Sequence, residues 1–339
     1  MKRYFKSDNT SPAAPEMLAA LAAANEGYEA AYGDDQWSQQ LDAVFGRFFG
    51  KAVRVFPVAT GTAANAIALA TLTPPYGAIF CHREAHIVRD ECGAPEFMSG
   101  GARLVLVDGQ QGKLTPAALT AALDDNPRSV HSPQAACVSI SQATECGTTY
   151  SPTEIAAVSA IARQRGLALH MDGARFANSL CFLDCHPGDV TWRAGVDVLS
   201  FGATKNCALG AEAVVFFDPA RVTDFELRRK RSGHLFSKMR YLSAQLLAYL
   251  QDDLWRRHAA HANRLAAQLA GSAGDALLYP VQANEVFVQL DAIRLARLRE
   301  MGFQFYDWGA VDSGAARFVV SWNQPAEDVA SLCAAFKDL

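Results

Sequence analysis

Seven short apolar runs, none of them alternating with polar residues, constrain the fold of this chain more than any other feature of its sequence. They read VRVFPVA (53–59), AIFCH (78–82), ARLVLVD (102–108), AACVSISQA (135–143), LALHMDG (167–173), VDVLSFG (196–202) and EAVVFFD (212–218). A strand with one face in water alternates apolar and polar side chains, whereas an unbroken apolar strand must be covered on both faces. The covers lie between the runs, in Ala- and Leu-rich stretches with helical spacing such as TAANAIALATLT, TPAALTAALDD and SPTEIAAVSAIARQRG. In LTPAAL, YSPTEI and FDPARV a Thr, Ser or Asp precedes a first-turn proline, the pattern of a helix start. Strand and helix therefore alternate, and the expected fold is an α/β domain around a mostly parallel, seven-stranded sheet.

From about residue 240 the texture changes. A long helical run, MRYLSAQLLAYLQDDLWRRHAAHANRLAAQLAG, leads into NEVFVQLD, LARLREMG and ARFVVSW, which make a smaller α+β unit. At 339 residues the chain exceeds what one core usually serves. The expected division is 1–243 for an N-terminal segment with the large α/β domain and 244–339 for the small domain, with the boundary near Ser243. A formal charge of −4 offers no footprint for nucleic acid. No apolar run reaches the ~18 residues of a membrane span, and no apolar stretch follows the basic residues of MKRYFKSDNTSPAAPEM as a secretory leader requires. The cysteines are scattered singly. Cys181 and Cys185, followed by His186, lack a second half-site, so no metal centre is expected. A cytoplasmic chain with reduced thiols is the expectation.

Within VLSFGATKNCALGAEAVVFF (198–217) sits Lys205. An unpaired ammonium in an apolar interior is costly or is forced neutral, so this lysine needs a chemical reason. Upstream, ATGTAANAIAL (59–69) follows a strand and opens a helix. Gly61 permits close backbone approach, and Thr62 with the first helical N–H groups can hold a phosphate against the helix dipole. The stretch lacks the spacing of a dinucleotide fingerprint. LHMDGARFANS (169–179) ends a strand with Asp172, and Arg175 follows one turn later. Asp172 reads either as a cap of the next helix or as an acid at the carboxyl edge of the sheet, where α/β folds bind ligands. Together the three features suit pyridoxal 5'-phosphate, with Lys205 for the Schiff base, Asp172 for the protonated ring nitrogen and a helix N-terminus for the phosphate.

Along nearly its whole length the chain resembles the threonine aldolase family of fold-type-I pyridoxal-phosphate enzymes, most nearly the bacterial low-specificity L-threonine aldolases. The resemblance rests on KSDNTSPAAPEM, AYGDDQW (31–37), ATGTAAN (59–65), AHIVRDECGAPEF (85–97), LHMDGARF (169–176), SFGATKN (200–206) and GAARFVVSW (314–322), in that order. It implies an aspartate-aminotransferase-like fold and cleavage of L-β-hydroxy-α-amino acids such as L-threonine or phenylserine to glycine and an aldehyde. It also implies a homodimer or homotetramer whose active site is shared between subunits.

Roles follow residue by residue from the resemblance. His86 matches the histidine that stacks on the pyridine ring, Gly61 and Thr62 match the phosphate loop, and Asp172 and Lys205 match the ring-nitrogen and Schiff-base residues. Ser7, Arg175 and Arg317 match residues that grip the amino-acid carboxylate, a task for which a guanidinium fork is suited. Tyr32 resembles an active-site tyrosine delivered from a neighbouring subunit, and Lys230 and Arg240 resemble basic residues that reach the cofactor end of the pocket. Asp90, one helical turn after His86, would shape the aldehyde side.

One stretch departs from the pattern. Where many members read E-N-T-H-N, with a histidine near the substrate hydroxyl, this chain reads QATECG, and Glu145 stands in that place. His131, His86 and Glu145 are the candidates to accept the hydroxyl proton, directly or through a water. The fold alone also admits a β-eliminating lyase, an amino-acid racemase or a hydroxymethyltransferase-like enzyme, and more distantly a non-catalytic binding protein.

Overall fold

The computed structural model describes residues 2–222, 224–310 and 313–338. Each of the seven apolar runs is a strand, and together they form one sheet: Arg54–Val58, Gly77–His82, Arg103–Val107, Gln134–Ser141, Ala168–Gly173, Val198–Gly202 and Glu212–Phe216. Named by first residue, the order across the sheet is Arg54, Glu212, Val198, Ala168, Gln134, Gly77, Arg103. Only Glu212–Phe216 runs against its neighbours. Its reversal has a simple cause: residues 203–211 are too few for the parallel crossover, which takes roughly a dozen or more.

The helix Gly61–Leu72 lies against this sheet with residues 63–70 all buried, as expected of a helix that is apolar on every side. Because most strands share a direction, their carboxyl ends meet at one edge. There the turns that follow His82, Ser141, Gly173 and Gly202 converge.

A second apolar core surrounds a three-stranded antiparallel sheet, Glu285–Gln289, Ala315–Val319 and Tyr306–Asp307. The cores exchange within the helix Leu254–Ala273: Trp255 and Ala259 belong to the first, Leu265 and Leu269 to the second. The boundary expected at Ser243 is therefore too early, because the helix Arg240–Leu250 still packs on Pro15–Ala24 and Leu41–Phe49. The chain's start joins the second core, since Arg3–Tyr4 pairs in parallel with Phe303–Gln304 and buries Phe5 among its side chains. Among the described residues no helix is long and apolar enough to cross a membrane.

Two glycines let the Asp172 and Lys205 turns approach. A Cβ on Gly202 would lie 2.6 Å from the Ala174 carbonyl oxygen, and one on Gly173 would lie 2.7 Å from that of Ser200. Gly202→Ala must push these backbones apart. Overpacking of this kind is expected to destabilise the chain by about 1–3 kcal/mol, read as a lower urea midpoint at unchanged slope; an unchanged midpoint would show that the turns separate freely.

Candidate active site

A cavity of about 1000 Å³ opens at the carboxyl edge of the large sheet and reaches the small one. Ser7, His86, Asp90, Glu145, Arg175, Lys205 and Arg317 line it, so residues far apart in sequence meet there. Lys205 sits in a single 3-10 turn, Thr204–Asn206. Asn206 anchors this turn by donating to the Tyr249 hydroxyl and the Trp255 carbonyl, both at 2.8 Å. Burial holds the Lys205 amine below its ordinary pKa, and the Arg175 charge adds to the effect. Behind the turn, burial pushes the Glu212 carboxyl up to about 7, while it accepts from the Thr204 amide at 3.3 Å.

Asp172 is buried at the end of its strand. Its carboxylate accepts from the Ala174 amide at 3.0 Å and from Asn65 Nδ2 at 2.8 Å. The same Asn65 amide donates to Glu91 Oε1 at 2.8 Å, and Glu91 Oε1 lies 3.0 Å from His86 Nδ1. Asp172, Asn65 and Glu91 thus form one buried chain that ends at the half-buried His86. The hydrogen bond to Glu91 raises the pKa of His86, and burial raises that of Glu91. Under Asp172, His170 is fixed between Ser139 Oγ (2.9 Å) and Ser200 Oγ (3.0 Å), and burial pushes its pKa down to about 4. That imidazole is neutral.

These residues fit pyridoxal phosphate. Asp172 is an acid for a protonated ring nitrogen, Lys205 is an amine for the aldehyde, and His86 is a planar ring between them in the wall. The helix Gly61–Leu72 begins with Thr60 as its cap, whose Oγ1 accepts from Ala63 N at 3.1 Å. Among the described residues the Gly61 and Thr62 amides have no acceptor, and the space beside Gly61 is open. This is the donor set of a phosphate site.

The arginines divide differently from expectation. Arg175 Nε and Nη2 lie 3.0 and 2.8 Å from Asp8 Oδ2, and its Nη1 lies 3.2 Å from Glu285 Oε2. Protein acids take one donor from each of its three nitrogens, and the second N–H on each Nη stays available in the cavity it lines. Arg317 is the guanidinium with more donors to spare. Its Nη1 is 3.7 Å from Glu285 Oε1, its Nε has no partner among the described residues, and its charge lies 5.7 and 5.8 Å from the rings of Tyr306 and Trp308.

Glu145 follows the strand Gln134–Ser141, and its Oε1 accepts from the His86 amide (2.7 Å) and Ser141 Oγ (2.8 Å). Its Oε2 is closed from water and has no partner. Burial pushes this carboxyl up to about 7, and the Asp172 charge adds to the rise. His131 is exposed in the turn before the same strand. Eight residues of strand, roughly 25 Å at ~3.3 Å per residue, separate it from the cavity edge, so it cannot serve there. Tyr32, Lys230 and Arg240 also stand outside the cavity. The Lys230 ammonium lies 4.5 Å from the Tyr32 ring centre, and Arg240 donates to the Gly27 carbonyl at 3.2 Å.

Asp8, Asn65, Glu91 and Glu285 were missed as functional residues. Three of them lie inside stretches already singled out, KSDNTSP, ATGTAAN and AHIVRDECGAPEF; only Glu285 had no signal beyond an acid within an apolar strand. Replacing Glu91 by Gln removes the carboxylate charge that raises the His86 pKa. In a nitrogen-15 NMR titration, His86 of E91Q is expected to lose its proton at lower pH than in the wild type; an identical curve would refute this role for Glu91.

Comparison with known proteins follows the same lines. A family model described as beta-eliminating lyase matches residues 4–293. The chain is 46% identical over 334 residues to the low specificity L-threonine aldolase of Pseudomonas aeruginosa, covering 97% of this chain and 96% of that one. The solved threonine aldolase of Leishmania major superposes with a TM-score of 0.93 at 28% identity, covering 99% of each chain. An aspartate aminotransferase from Rhodobacter sphaeroides shares the fold, with a TM-score of 0.71 at 16% identity over 99% of this chain and 92% of that one.

Proposed function

This chain belongs to the beta-eliminating lyase family, and from that premise we propose that it is an aldolase cleaving the Cα–Cβ bond of L-threonine, L-allo-threonine and related L-β-hydroxy-α-amino acids to glycine and an aldehyde. The observation that carries the reading is a buried amine, Lys205, in one cavity with an uncommitted guanidinium, Arg317, and a carboxyl poised near neutrality, Glu145. The cofactor is pyridoxal phosphate, which when bound supplies a ring able to hold the electrons of the broken bond.

The residues divide the remaining work. Burial favours the neutral Lys205 amine, the form that can bond to an aldehyde and later take it back. Asp172, held by Asn65 and the Ala174 amide, keeps a proton on the group that faces it. Arg317 takes the substrate carboxylate, with Ser7 beside it. Fixing the carboxylate and the amine together sets the direction of the Cα–Cβ bond, and that choice selects carbon–carbon cleavage over loss of the α-proton. Glu145 accepts the β-hydroxyl proton, and Asp90 borders the aldehyde side. Tyr32, Lys230 and Arg240 serve a neighbouring subunit's site in a homodimer or homotetramer, a reading supported by their place outside their own cavity. The eight cysteines are unpaired, which supports a cytoplasmic setting.

The purified, cofactor-loaded protein is expected to turn L-threonine and L-phenylserine into glycine and the matching aldehyde. Pyruvate with ammonia, or only the D-amino acid, would overturn the reading in favour of an eliminating lyase or a racemase. Lys205→Ala should abolish both activity and the cofactor's visible band.

A separate prediction concerns Glu145, whose carboxyl, pushed up to about 7, is the working base only above that pH. The kcat/KM, which follows the groups of the free enzyme, should therefore rise as pH climbs through about 7. Glu145→Gln should lower kcat by about 10²–10⁴-fold and remove that rise; a wild-type acid limb in the variant would assign the base elsewhere.

A further inference from the structure

The arginine pair at the mouth of the cavity contains an acid that the aldolase reading does not use. Glu285 is 1% exposed, and among the described residues neither of its carboxylate oxygens has a hydrogen-bond donor. Its charge is held only by two guanidinium groups, with Oε2 3.2 Å from Arg175 Nη1 and Oε1 3.7 Å from Arg317 Nη1. The strand register sets this arrangement. Glu285 stands opposite Val319 and Phe287 opposite Arg317, so Glu285 and Arg317 are diagonal neighbours on one face of the sheet.

Arg175 is the more firmly held of the two, because Asp8 takes its Nε and Nη2 at 3.0 and 2.8 Å. Asp8 is in turn fixed by Asn284 Nδ2 at 2.7 Å. Arg317 is different: its contact with Glu285 is long, its Nε is unpartnered and its side chain faces the cavity. A carboxylate arriving at Arg317 meets a second carboxylate already there. Two like charges on one guanidinium, one of them on the buried Glu285 carboxylate, repel each other.

We propose that Glu285 is a specificity-determining residue that aims Arg317 into the cavity and competes with the ligand carboxylate for it. The reading rests on the amino-acid site proposed above. It gives Glu285 a definite effect, weakening the ground-state grip on every α-carboxylate, product glycine included. Groups that bind through the amine alone are untouched.

The test is a spectrophotometric titration of cofactor-loaded wild type and Glu285→Gln with glycine and with methylamine, which carries no carboxylate. Glycine should bind about tenfold more tightly to the variant, methylamine equally to both, and the KM for L-threonine should fall without a rise in kcat. Adding Arg317→Gln should erase the gain. Glycine affinity that is unchanged or weaker in Glu285→Gln overturns the proposal, as does an equal shift for both ligands, the mark of a merely structural role. Glu285→Asp, which draws the carboxylate back from Arg317, should move glycine binding in the same direction by less, and it carries the test if the Gln variant does not fold. A wild-type protein whose spectrum responds to neither ligand would overturn the amino-acid site itself, and the proposal with it.

Discussion

An amine drawn largely out of water must be compensated or give up its proton, and the architecture around Lys205 follows from that constraint. The lysine cannot move toward solvent, because its turn is anchored through Asn206 to Tyr249 and Trp255. Nor is there room for the neighbouring turn to come closer, because even a Cβ on Gly202 would lie 2.6 Å from the Ala174 carbonyl oxygen. What remains is electrostatics. Asp172 favours the charged amine, whereas burial and Arg175 oppose it, and the net effect lowers the lysine's pKa. A fold that holds an amine in this state has prepared it for bonding to a carbonyl group.

The same burial acts with opposite sign on the acids. Glu145 and Glu212 are each pushed up to about 7, and Glu91 is raised as well. Perturbed groups of both signs gathered in one cleft are characteristic of catalytic sites. Their protonation states are divided by contact. Glu91 is tied to His86 and Asn65, so it serves orientation. Glu145 keeps one oxygen without a partner, which leaves it open to proton transfer.

The large sheet was legible in the sequence because unbroken apolar strands admit few other fates, and all seven runs became its strands. The Lys205, Asp172 and Gly61 positions were legible because strand ends place chemistry at one edge of such a sheet. Three kinds of information were not. The exchange of cores within Leu254–Ala273 happens along one continuous apolar stripe, and the stripe does not say where its partner surface changes. His131 seemed near Glu145 because both flank one strand, yet a strand puts its two flanks at opposite edges of a sheet. Partnerships such as Arg175 with Asp8 and Glu285 join residues far apart in the chain, and a motif marks the arginine without saying who will occupy it.

That last gap explains why the substrate end differs in kind from the cofactor end. Lys205 and Asp172 are carried by adjacent strands of one sheet, and their separation is set by strand geometry. The carboxylate end is assembled from residues 7 and 8, 175, 285 and 317. The N-terminal piece is held by pairing with Phe303–Gln304, in the small core rather than the large one. The packing of the two cores against each other therefore places the arginines and acids within reach. A ligand that bridges Lys205 and Arg317 touches both bodies, so its binding energy contributes to holding them together. Discrimination among carboxylates is in this sense a property of the junction, whereas reactivity belongs to the sheet.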